Sequence, residues 1–179
     1  MSTTSLVVEV LVGGFVTFLW ALLLLCKIYN IDYALIQESV LLYKDWSSLI
    51  LFSVMALSYQ LGWVMIHVSY LFTTFIIVTP LRKKVFGSSY NSYREIKNRV
   101  YFGASNELAV GIEKDRSVIR LSRTGMLNFL MLAIILVLYK LWWLAGIAFV
   151  IALFCLLQLR DVYTSLYTKI KHCHATLES

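Results

Sequence analysis

From Trp46 to Leu81 the chain runs 36 residues without a charged side chain. A helix of that length spans about 54 Å at roughly 1.5 Å per residue, against a bilayer hydrocarbon core of about 30 Å. Three shorter runs repeat the pattern: 17 residues from Val10 to Cys26, 16 from Thr124 to Tyr139 and, after Lys140, 19 from Leu141 to Leu159. None alternates apolar with polar residues, so all read as helices and not as barrel strands. Of the 179 residues 60% are apolar or aromatic and only 15% charged, with a mean hydropathy of +0.77. A soluble domain of this size has too little interior to hide that much apolar surface. The composition excludes an ordinary soluble enzyme, a disordered chain and a disulfide framework.

Two choices fix the span count. Residues 124–159 read as a tight hairpin, because one long helix would put Lys140 at the bilayer centre at a cost of about 2.5–3.5 kcal/mol. The hairpin sets Lys140, Trp142 and Trp143 at the interface, where such residues are favoured. The 36-residue run reads as one tilted, protruding helix, since no turn cluster marks a hairpin near Gly62. The expectation is an all-α polytopic membrane protein with spans at about 6–28, 46–81, 124–139 and 141–159. A 42-residue loop (82–123) and a tail (160–179) complete it, with five spans as the alternative.

Four spans place both termini and the loop on one side. That side collects Arg82, Lys83, Lys84, Arg94, Lys97, Arg99, Lys114, Arg116, Arg120, Arg123, Arg160, Lys169 and Lys171, against Lys27, Lys44 and Lys140 on the other. The imbalance predicts a cytoplasmic loop and cytoplasmic termini. No cleavable signal, myristoylation or prenylation motif is expected. Cys26, Cys155 and Cys173 fall at different depths, too far apart to pair.

The loop carries a net charge of +6. Arg82, Lys83 and Lys84 directly follow a span and suit anionic lipid headgroups. Arg94, Lys97, Arg99, Arg116, Arg120 and Arg123 are interleaved with Tyr90, Tyr93, Tyr101 and Phe102, which suits docking of a soluble protein partner. No nucleic-acid module signature is present, so direct nucleic-acid binding is not expected. Ser92 and Glu95 have capping-box spacing, and Gly103 can end the short helix between. Residues 105–123 fit an amphipathic helix, the preferred reading, but also a β-hairpin turning at Lys114-Asp115. In the tail, Leu159, Tyr163, Leu166, Ile170 and Cys173 recur at heptad steps. Two readings stay open there: packing on the chain's own loop, or an oligomer seam of Tyr163, Leu166 and Ile170 between subunits.

Within the spans, Glu9, Gln60 and His67 are the polar groups to weigh as working residues or as simple hydrogen-bonding glue. Gly13, Gly14, Gly62 and Gly146 allow close helix approach. His172-Cys173-His174 holds ligand types, but consecutive helical residues diverge by about 100° and close no metal site alone. There is no Cys-x-x-Cys, HExxH, phosphate loop, nucleophile elbow or potassium-filter motif. No catalytic residue, cofactor or metal is assigned.

The expectation is a non-enzymatic membrane subunit that oligomerises through its spans and docks a soluble partner on its loop. The alternatives are a pore-forming or depolarising effector lined by Ser47, Ser58, Gln60, His67, Thr73 and Thr74, and a small transporter working through Glu9 or His67. In topology, the four spans with the basic loop between the second and third resemble Kiwa-like membrane subunits of bacterial anti-phage defence complexes. That resemblance implies a multi-pass protein of the cell inner membrane, a tetramer, which senses phage infection at the envelope beside a cytosolic DNA-binding partner.

Overall fold

Four long helices follow from the four apolar runs. In the computed structural model, residues 3–31, 44–86 and 106–178 are described. Helix α1 is Thr3–Ile28. A short 3-10 turn, Lys44–Trp46, leads into α2, Ser47–Thr73. A π-helical turn, Thr74–Val78, joins α2 to α3, Thr79–Phe86. Helix α4 is Asn106–Leu138 and α5 is Trp142–Glu178. The segments Leu6–Ile28, Ser47–Phe86, Val110–Leu138 and Trp142–Cys173 are each long and apolar enough to cross a membrane. The chain is a multi-pass membrane protein with no strand among the described residues.

The hairpin at Lys140 forms as the sequence predicts. Lys140 N–H bonds to Val137 O at 2.9 Å and Leu141 N–H to Leu136 O at 3.0 Å, with Lys140 at φ 59°. This Schellman geometry ends a helix through one left-handed residue. Helix α1 closes the same way, with Asn30 at φ 49° and Ile31 N–H on Cys26 O at 3.0 Å. Tyr139 reaches back to α1, its hydroxyl donating to Leu23 O at 2.7 Å while Lys27 Nζ sits 5.2 Å from its ring centroid.

The long second run does not fold back at Gly62. It stays helical from Ser47 to Phe86, with a local widening ahead of the only proline. Pro80 has no N–H, and its ring crowds the carbonyl four residues earlier. The chain relieves this by shifting to a five-residue repeat, with the Thr79 backbone N–H and hydroxyl both directed to Thr74 O. Thr73 and Thr74 hydroxyls donate back to Ser69 O at 2.7 Å and Tyr70 O at 2.6 Å, a pattern that bends helices.

Gly62 serves instead to bring α2 against α1. A Cβ on Gly14 would lie 1.6 Å from Ser58 O, and one on Gly62 would lie 2.0 Å from Val10 O. The two backbones therefore touch, which only glycine permits. Gly146 faces open space. Helices α4 and α5 form the most extensive pair, and α1 also packs on α4.

Residues 106–123 are helical and continuous with the third span, so the β-hairpin alternative is discarded. The described ends of the 82–123 segment extend the spans as helix. The tail seam is corrected too. Tyr163, Leu166 and Ile170 are buried within one chain, together with Leu159, Tyr167, Ile112 and Ile119. Ile77, Val78, Leu81, Val85 and Phe86 pack against that cluster. The apolar stripe has a partner at hand in α3 and α4, so it is used intramolecularly and offers no seam to a second copy.

Candidate functional site

The end of the bundle that carries the N-terminus, α3, the start of α4 and the α5 tail collects most of the described charge. Its frame is the seven-residue core just named, with the Tyr167 ring edge-on to Phe86 at 5.6 Å. Lys169 Nζ meets Asp115 Oδ2 at 2.7 Å and ties the tail to α4. Around this frame Lys83, Lys84, Lys114 and Lys171 are exposed, and Arg82 and Arg116 half-buried. Arg94, Lys97, Arg99 and Tyr101, with Tyr90, Tyr93, Phe102 and the Ser92/Glu95 pair, lie outside the described residues.

Two of the arginines assigned to docking are drawn inward. Arg120 Nε donates to Glu9 Oε2 at 3.2 Å, and Ser117 donates to the other carboxylate oxygen, Oε1. Glu9 is therefore held between α1 and α4 by an ion pair and a hydroxyl. Arg123 is 7% exposed, so it is corrected from a docking cation to a packing one. Its guanidinium lies 5.1 Å over the Tyr70 ring. Arginine stacks on aromatic faces more readily than lysine because its guanidinium is planar and weakly hydrated.

Above this layer sits a polar knot that the sequence reading overlooked. Asn128, 1% exposed, accepts from Thr17 Oγ1 at 2.8 Å and Trp20 Nε1 at 3.0 Å, and donates to Gly13 O at 2.8 Å. The signal was present: Asn128 is an amide inside an otherwise apolar run, and such a group must find partners where lipid offers none. Ser122 Oγ adds a bond to Gln158 Oε1 at 3.2 Å between α4 and α5.

The polar residues of α2 divide between two faces. Ser58 and Thr73 are buried in the bundle, whereas Gln60 and His67 are exposed on the far side. They do not share the single lining surface that the pore alternative requires. His67 Nδ1 lies 2.9 Å from Trp63 O, with the two rings 5.2 Å apart. Because a carbonyl only accepts, Nδ1 carries the proton of the neutral ring and Nε2 is left as an acceptor.

A groove of about 240 Å³ opens between the α2–π junction, α4 and α5, lined by Phe72, Thr73, Ile77, Met126, Leu130 and Phe149 among others. Its walls are hydrocarbon and suit an acyl chain better than polar chemistry. Among the described residues no group of three His, Cys, Asp or Glu could hold a metal ion. His172 is exposed and Cys173 packs on the tail core. Comparison with protein-family models, curated proteins and solved structures gives no match.

Proposed function

We propose that this chain is a non-catalytic membrane subunit, present in more than one copy, that docks a soluble protein on its charged end. The single observation that carries this reading is the helical platform at that end. Helices α3, α4 and α5 all continue past their most apolar segments and pack on a core of their own, Ile112, Ile119, Leu159, Tyr163, Leu166, Tyr167 and Ile170. An anchor alone gains nothing from that extension. A surface presenting Lys114 and Lys171, together with Lys83 and Lys84, which the sequence alone assigns to lipid headgroups, is what an acidic partner surface requires. The positive-inside bias assigns this end to the cytoplasm. The resemblance to Kiwa-like subunits makes phage attack at the envelope the first stimulus to apply, and a DNA-binding protein the first partner to try.

The test is copurification in mild detergent with the product of the neighbouring open reading frame. Changing Lys83, Lys84, Lys114 and Lys171 together to Gln releases the partner while the protein stays in the membrane fraction. Undiminished copurification of that quadruple variant overturns the docking surface.

A further inference from the structure

Helix α2 carries two faces with opposite fates. Ser58, Gly62, Met65, Ser69 and Thr73, spaced by three or four residues, are buried against the rest of the chain. On the other side Ser53, Gln60 and His67 recur every seven residues, with Ala56 and Trp63 between them and Tyr70 at the edge, its ring also covering Arg123, and all six are exposed. This is a heptad a/d stripe, with polar residues at each a position, on a helix that crosses the membrane. Ser53 satisfies itself by donating to Leu49 O at 2.9 Å. The Gln60 amide has no hydrogen bond among the described residues, nor has the Trp63 indole N–H, and His67 Nε2 is an unused acceptor. Hydrocarbon offers these groups nothing, and each unsatisfied polar group in lipid costs several kcal/mol.

We propose that this Ser53–Gln60–His67 face of α2, with Trp63 and Tyr70, is the surface through which a second copy of the chain packs. The membrane supplies the register. Copies inserted with one topology hold α2 parallel and at one depth, so each residue meets its own counterpart. That suits the chemistry. A glutamine amide is complementary to itself in partial charge, donating through its NH₂ and accepting through its oxygen. The Trp63 indole N–H of one copy is the donor that the His67 Nε2 of the other lacks, one helical turn away across an a/d seam. A steady seven-residue period is the geometry of left-handed helix pairs in membranes. The face belongs to the same helix whose other side is fixed by Gly14 and Gly62, so the stripe is presented on a rigid backing.

This inference rests on the multi-copy half of the subunit reading and not on its docking half. The experiment is disulfide trapping in native membranes, with Cys26, Cys155 and Cys173 changed to Ala. Single cysteines at Ser53→Cys, Gln60→Cys and His67→Cys give covalent dimers under mild oxidation, whereas Val150→Cys, on the exposed face of α5, does not. With the native cysteines kept, Gln60→Leu weakens self-association about tenfold and Gln60→Asn restores most of it, measured by native mass spectrometry. Trapping at 150 but not at 60 or 67 overturns this face and leaves the multi-copy reading standing. A chain monomeric at every concentration overturns both, and neither result touches partner docking.

Discussion

Asn128 shows how one side chain organises the upper part of this bundle. Its amide accepts from Thr17 and Trp20 and donates to Gly13 O, so replacing it with Leu removes all three interhelical bonds and strands the Trp20 indole N–H, while the Thr17 hydroxyl keeps Gly13 O at 2.9 Å as its acceptor. We expect Asn128→Leu to lower stability by about 2 kcal/mol, given roughly 0.6–1.7 kcal/mol per interhelical bond in membranes. A detergent melt followed by Trp fluorescence reads this, and an unchanged midpoint refutes the knot. Lys140 is the converse case. A lysine at φ 59° sits where glycine is at ease, so Lys140→Gly should raise stability by about 0.5–1 kcal/mol in the same melt. The residue scale is also where sequence reading is weakest. Arg123 looked like a surface cation because its neighbours in sequence are charged. Only the fold reveals that Tyr70, more than 50 residues away, supplies a ring beneath it.

At the scale of elements, hydrophobic run length and charge placement were enough to read four helices, the Lys140 hairpin and an unbroken second run. Each follows from a strong energy term: the cost of a charge or an unpaired backbone group in hydrocarbon. The pairing of elements was less legible, since heptad spacing in the tail says that a stripe is covered without saying by what. Ile112 and Ile119 of α4 cover it. The glycines were equally ambiguous until placed. Gly14→Leu or Gly62→Leu drives a side chain into a facing backbone and should separate α1 from α2, collapsing the melt, while Gly146→Leu, facing open space, should leave it unchanged. Equal tolerance of all three contradicts the α1–α2 crossing. The π turn at Thr74–Val78 follows from Pro80. In Pro80→Ala the missing donor returns and the α-helical repeat should run through, seen as slower amide exchange across 74–80.

At the scale of the whole molecule, the bundle is asymmetric. One end is a short, tryptophan-bearing hairpin, and the other is a charged helical platform with its own core. The platform was only half legible: the basic surplus predicts its side, but its packing depends on helix extensions that short amphipathic segments do not announce. Everything proposed for function depends on that end facing the cytoplasm. The most direct measurement is labelling of single cysteines by a membrane-impermeant maleimide in intact cells, with the native cysteines removed. Lys140→Cys at the hairpin should label from outside, and Lys114→Cys on the platform only after the cells are opened. Labelling of position 114 in intact cells would contradict the topology, and the docking surface with it.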